Sequence, residues 1–209
     1  MKQIYIVGAG GFGREVYNWM SDVLDLGSNY SFKGFLDDNI EALDGFLIDA
    51  EVKAIADYSY SSEDLLICGI GNPFLKKKLC LPLMKMGCDF LTLIHPSAII
   101  GPSTKIGKGS VICPKAVITC DIIIGEMVTI NLMTTIGHDA KIGSWSTVSA
   151  QCDITGYVEI EESVFMGSGA RVIPKKKVGT SATIGAGSVV IREVSPYSTV
   201  FGNPAREIF

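Results

Sequence analysis

The chain has 209 residues and 22.4 kDa, is 47% hydrophobic and 19% charged, and carries a net charge of -4. That is room for one or two buried cores, and the acidic balance disfavours nucleic acid or an anionic membrane surface as a partner. No apolar run reaches the roughly 18 residues of a membrane span, and Met1-Lys2-Gln3 leads into Ile4-Tyr5-Ile6-Val7 without a signal-peptide layout, so a cytoplasmic protein is expected. The six cysteines form no C-x-x-C pair and the histidines number only two, so the thiols read as small packed side chains and no metal site is expected.

Residues 1–93 alternate between strand and helix patterns. Lys2–Val7 is an apolar strand ending in glycines, and Gly13–Val23 follows as a helix with Val16, Trp19, Met20 and Val23 on one face. Phe32–Leu36 is a second strand, stopped by Asp37-Asp38-Asn39, and Leu65–Ile70 a third, stopped by Gly71-Asn72-Pro73. Phe74–Met86 is an amphipathic helix closed by Gly87 as its C-cap, and Phe90–Ile94 is a fourth strand. Between them, residues 40–64 read as a peripheral strand and a short helix. This order predicts an α/β domain, a Rossmann-like parallel sheet covered by helices.

From residue 94 onward the period becomes six. Ile94, Ile100, Ile106, Ile112, Ile118, Ile124, Ile130, Ile136, Ile142, Val148, Ile154, Ile160, Met166, Val172, Val178, Ile184 and Val190 fall on one frame without an insertion. Glycine often comes next, as at 101, 107, 125, 137, 143, 167, 179 and 185, and the fifth place is mostly small, as at Ala116, Ala140, Cys152 and Ser188. Such hexapeptides predict a triangular parallel β-helix of 94–209, one strand and one corner per repeat. The glycines are expected to relieve unusual corner dihedrals. Ile122 and Lys176 break the fifth-place rule, and the coil is expected to distort at Lys175-Lys176-Lys177.

A scaffold assigns no chemistry by itself, but Asn131-Leu132-Met133-Thr134-Thr135-Ile136-Gly137-His138-Asp139 carries a reactive group. His138 is third in its hexapeptide, at an outward corner. A near-neutral imidazole suits a general base, with Asp139 holding the ring so that Nε2 keeps its lone pair. No Cys or Ser adjoins a His in sequence as an activated nucleophile would. The loop Gly8-Ala9-Gly10-Gly11-Phe12-Gly13 matches G-x-G-x-x-G, a pattern equally compatible with NAD or another diphosphate-bearing nucleotide.

Ile6–Glu15, Gly34-Phe35-Leu36-Asp37-Asp38, the hexapeptide array with Asn131 and His138-Asp139, and the closing Val200-Phe201-Gly202-Asn203-Pro204-Ala205-Arg206 together resemble the sialic acid O-acetyltransferase (NeuD) and PglD-like family of nucleotide-sugar acetyltransferases. The resemblance implies a left-handed β-helix and acetyl-CoA as co-substrate. It implies a sugar nucleotide held by residues 1–93 at Gly8, Gly10, Gly11, Asp37, Asp38, Gly71 and Asn72, with the diphosphate on the glycine loop and a carboxylate on the ribose. It makes His138 the base and Asp139 its partner, puts Asn131 in the same cleft, and runs acetyl-CoA along Gly156, Gly167, Ser168, Gly185 and Ala186, where missing side chains admit the pantetheine. Lys175, Lys176, Lys177 or Arg206 would meet CoA phosphates, or form a solvated basic corner. A homotrimer with sites between subunits is implied as well. Asp139 stands where relatives often carry Glu, and Thr147 where some carry a second histidine, which leaves the acceptor open. An amine of a UDP- or dTDP-linked 4-amino-4,6-dideoxy sugar, a sialic acid hydroxyl, a non-catalytic sugar-nucleotide sensor and an NAD-dependent oxidoreductase are the alternatives.

Overall fold

The computed structural model describes residues 1–208. The chain divides into two compact units, one of Met1–Gly71 with Leu75–Leu93, the other of Asn72–Phe74 with the chain from Ile94 onward.

The first unit is a parallel sheet in the order β3-β2-β1-β4-β5, where β1 is Lys2–Val7, β2 Tyr30–Leu36, β3 Val52–Lys53, β4 Asp64–Cys68 and β5 Asp89–Phe90. Ile4, Ile6, Val7, Phe35, Leu36, Leu66 and Ile67 are fully buried, the near-continuous apolar run of strands covered on both faces. Helix α1 spans Gly11–Met20, shifted from the expected 13–23. It begins straight out of the glycine loop, and it stops because Asp22 and Val23 bond back three residues to Trp19 and Met20, tightening the last turn. Helix α2 is Pro73–Lys85, with Pro73 at its first position. Its end is a Schellman motif: Gly87 has φ +97°, its N–H donates to Met84, and the Cys88 N–H donates to Leu83. Val52–Lys53 and the 3₁₀ turn Ile55–Asp57 are the peripheral pieces expected within 40–64. The expected strand 90–94 is two strands, because Leu93–Ile94 pairs in the second unit's sheets instead.

The second unit is a left-handed parallel β-helix with three faces. The first face has six strands, from Ile99–Ile100 to Val189–Val190; the second has five, from Lys105–Ile106 to Lys177–Val178; the third has eight, from Leu93–Ile94 to Arg206–Glu207. Each strand pairs with the one 18 residues on, as Ile118 with Ile136 and Ile136 with Ile154. The six-residue frame fills the prism: Ile112, Ile118, Ile130, Ile136, Val148, Ile154, Met166, Val172 and Ile184 are all fully buried. Small polar residues in the fifth place bond inside the corners. The Ser146 hydroxyl, for example, donates to Glu161 O and accepts from Val164 N.

Two expectations about this unit need correction. Every sixth position from Ser103 to Gly187 has φ between 55 and 71°, including Met127, Met133, Trp145 and Tyr157. The left-handed corner residue is thus the fourth of each repeat, and ordinary side chains occupy most of these places. The second-place glycines serve close approach. A Cβ on Gly101 would lie 1.6 Å from Thr119 O, and one on Gly107 2.4 Å from Gly125 C, so each is needed because the next coil's backbone fills the space. Nor does the coil distort at Lys176. Its carbonyl accepts from Glu159 N at 2.9 Å, and Lys175 keeps the corner φ of 61°. Ile122 is simply buried in the core.

The frame ends by shortening. Val172 pairs with Val190, 18 residues on, but Val178 bridges Val194 and Ile184 pairs with Val200, each 16 on. The segment then turns back as Arg206–Glu207, antiparallel to Val200–Phe201.

Candidate active site

At the first unit's switch point the ends of β1 and β4 diverge towards opposite halves of the sheet, the usual place for a ligand in an open α/β sheet. Gly8 takes φ +98°, and a Cβ on Gly13 would fall 1.9 Å from Gly8 O, so these two glycines exist to close a tight turn. Gly10 and Gly11 are exposed, and a Cβ on either, or on Gly71, would meet nothing within 4 Å. The open rim of the loop is therefore Gly10, Gly11 and Gly71. Gly10 caps α1 without any side chain, leaving the positive end of the helix dipole facing this rim. Asp37 has a role within the fold: its two oxygens accept the Ala9 N–H at 2.8 Å and the Asn39 N–H at 3.0 Å, so it ties the glycine loop to the end of β2. Asp38 beside it is exposed, as is Asn72. The sequence did not point to Arg14, whose guanidinium stacks 3.6 Å above the Phe46 ring.

In the second unit, His138 and Asp139 stand on the corner between the first and second faces. The His138 Nδ1 lies 2.9 Å from Asp139 Oδ2, with the side chains 55% and 41% exposed. With Nδ1–H donating to the carboxylate, Nε2 keeps its lone pair. Asp139 occupies the left-handed corner place, φ 60°, and its N–H donates to Cys120 O. The ring lies over Gly156 of the next coil, where an added Cβ would come within 2.8 Å of His138 Cε1 and Nε2. Tyr157 follows, its ring perpendicular to the imidazole (89°) with centroids 5.1 Å apart, and Lys175 Nζ lies 5.9 Å from the Tyr157 ring.

The 18-residue step also puts Cys120 one coil before His138 in this corner, a thiol neighbour that adjacency in sequence does not reveal. Its thiol pKa is raised, by the hydrogen bond to Asp121 first and then by burial and the charges of Asp121 and Asp139. This is the reverse of what an acyl-accepting thiolate requires. The cysteines are all free thiols, buried except for Cys120.

Asn131 is not on the His138 corner. It begins the corner between the third and first faces, where its Oδ1 accepts the Leu132 N–H at 2.7 Å. Gly167, Ser168, Gly185 and Ala186 belong to that same corner in later coils. The residues expected to gather at one cleft thus form two columns on one chain. The glycines leave no empty slots either. The Cβ space of Gly156 is taken by His138, that of Gly167 by Ala186, and that of Gly185 by the Phe201 ring at 2.3 Å. Among the basic residues, Lys177 is paired with Glu161 at 2.6 Å and Arg206 donates to Ala205 O, while Lys175 and Lys176 lie on the His138 corner two coils on, Lys175 in the place of Asp139 and Tyr157. No cluster of three or more His, Cys, Asp or Glu suited to a metal, and no helix long and apolar enough to cross a membrane, occurs among the described residues.

Comparison with known proteins matches residues 3–81 to the PglD N-terminal domain. GDP-perosamine N-acetyltransferase of Escherichia coli O157:H7 is 30% identical over 213 residues, covering 97% of this chain and 95% of that one. WeeI from Acinetobacter baumannii superposes with a TM-score of 0.89 at 29% identity over the whole of both chains. PerB from Caulobacter crescentus, solved with CoA and GDP-perosamine, gives 0.87 at 26% identity over 100% of this chain and 98% of that one. A full-length match of this kind, on the same sheet and the same hexapeptide helix, leads to one conclusion: the chain belongs to the PglD-like family of nucleotide-sugar N-acetyltransferases.

Proposed function

We propose that this protein transfers the acetyl group of acetyl-CoA to the amine of a nucleotide-linked amino sugar, in the cytoplasm, for a surface glycan such as lipopolysaccharide O-antigen. The observation that carries the reading is the outward His138–Asp139 pair, 2.9 Å apart, on a hexapeptide corner of a chain that aligns along its length with a GDP-perosamine N-acetyltransferase. The relative's name adds GDP to UDP and dTDP as the nucleotide. The first unit would hold that nucleotide, its diphosphate at Gly10 and Gly11 and its ribose at Asp38. His138 Nε2 takes the proton as the amine nitrogen attacks the thioester carbonyl, and a backbone N–H steadies the oxyanion. The C–S bond then breaks, and the imidazolium returns its proton to the departing thiolate. General-base help of this kind is worth about 10²–10⁴-fold. Thiol release from acetyl-CoA against GDP-, UDP- and dTDP-amino sugars and free sialic acid, with products weighed, tests the reading. His138→Ala should lower kcat by about that factor, and an unchanged kcat would refute the base.

The two columns favour a homotrimer with sites between subunits. One protomer's Asn131–Gly167–Gly185 corner would face the His138 corner of its neighbour, giving an acetyl-CoA lying along either column a second wall. Light scattering should give three times the 22.4 kDa chain mass; a monomer at assay concentration would sink the arrangement.

A further inference from the structure

We propose that Tyr157 is a positioning residue for His138, an inference that rests on His138 being the base. Three things fix the imidazole: the 2.9 Å hydrogen bond from Nδ1 to Asp139, the Gly156 backbone beneath Cε1 and Nε2, and the Tyr157 ring standing perpendicular at 5.1 Å. The hydrogen bond alone leaves the ring free to tilt about the line from Nδ1 to the carboxylate, and the floor stops a tilt in one direction only. The aromatic wall, perpendicular at 5.1 Å, limits the tilt on the side it occupies.

Tyr157 is itself held firmly in place. It occupies the left-handed corner position, φ 59°, so its Cα–Cβ direction is set by the fold, and its N–H is bonded to the His138 carbonyl at 3.0 Å. The side chain is 51% exposed and contributes nothing to the prism core. Large side chains such as Met127, Met133 and Trp145 fill the same corner place in other coils; what marks Tyr157 is its ring, perpendicular to the imidazole with centroids 5.1 Å apart. Perpendicular aromatic pairs are favoured because the positive edge of one ring meets the negative face of the other. The hydroxyl takes no part in such a contact, so the ring and not the phenol is the working group.

The test is a set of five variants assayed by thiol release. Tyr157→Phe should keep kcat within about twofold. Tyr157→Leu should lower kcat about three- to tenfold, the range of one aromatic pair, with KM for both substrates changed less than about twofold. In a His138→Ala background, Tyr157→Leu should then have no further effect, because nothing is left to position. If Tyr157→Leu lowers kcat equally with and without His138, or if Tyr157→Phe loses as much as Tyr157→Leu, Tyr157 acts by another route and the proposal falls. If His138→Ala by itself leaves kcat unchanged, the base assignment has failed instead, and the two failures are told apart. Tyr157→Gly, which suits the corner backbone, guards against misfolding as the cause: it should unfold no earlier than the parent and be as slow as Tyr157→Leu.

Discussion

Replacing Gly156 by alanine puts a methyl group where the His138 imidazole now lies. The new Cβ would be 2.8 Å from Cε1 and Nε2, and ordinary contact begins at 3.4 Å, so the ring must retreat by about 0.6 Å. The obstacle is the far end of a side chain and not backbone, and Gly156 is not among the positive-φ glycines, so the fold accommodates the methyl. Stability should hold or rise by up to about 1 kcal/mol, since alanine restricts the unfolded chain. The effect falls on the chemistry, where a misplacement of about 1 Å can cost on the order of 100-fold, so we expect kcat to fall about 10- to 100-fold. Steady-state thiol release and thermal unfolding on the same preparation measure both quantities. A kcat within twofold of the parent would refute the geometry drawn for His138. A large fall in melting temperature would show instead that the corner cannot admit a methyl at all.

Gly137→Ala, one coil earlier, places its Cβ 2.7 Å from the Gly156 backbone nitrogen, which cannot turn aside; urea titration should show a loss of about 1–3 kcal/mol, the range of an overpacked core. Gly187→Ala meets nothing within 4 Å but forces a Cβ onto φ +68°, so its loss should be about 1–2 kcal/mol from backbone strain alone. Ile136→Ala, fully buried in the prism, should lower unfolding free energy by about 2–5 kcal/mol in guanidinium. Glu161 is held at a pKa of about 2, chiefly by hydrogen bonding to Lys177 and then to Thr180, against an ordinary 4.5. Its folded pKa is depressed, so its contribution is complete above pH 4.5 and lost as pH falls towards 2; the melting-temperature gap between the parent and Glu161→Gln should close over that window.

The period of six in the sequence was enough to predict the β-helix, because a prism one side chain wide tolerates only aliphatics at the inward place, and the frame from Ile94 to Val190 needs no interruption. The β1 strand and the tight glycine turn were legible for a similar reason: Gly8 and Gly13 answer to one strong steric demand each. The corner geometry was not. Met127, Trp145 and Tyr157 have no turn-forming character, and only the fold's closure imposes φ near 60° on them. Neighbours across coils were also hidden, although the signal was present. Adding 18 to His138 reaches Gly156, and subtracting 18 reaches Cys120; adding 36 to Asn131 reaches Gly167, which separates the two columns without coordinates. The hold of Asp37 on the Ala9 and Asn39 amides was hidden because a carboxylate after the second strand looks the same in sequence whether or not it ties down its own chain.

The shortened last coil determines what this β-helix does not become. An open stack of parallel strands ends in bare N–H and C=O groups, a template on which another chain can grow. Here the segment after Arg192 crosses all three faces. Val194 bridges Val178, Thr199–Phe201 lies along Thr183–Ile184, and Gly202 and Ala205 exchange hydrogen bonds with Val189. Dropping two residues from the repeat lets one strip of chain close three edges that an eighteen-residue coil would merely have extended. Cut after Arg192, the chain would lose its partners for Val178, Thr183–Ile184 and Val189 and leave their backbone groups bare. The closing segment is therefore a lid on the stack, covering strand edges that a regular coil would have passed on.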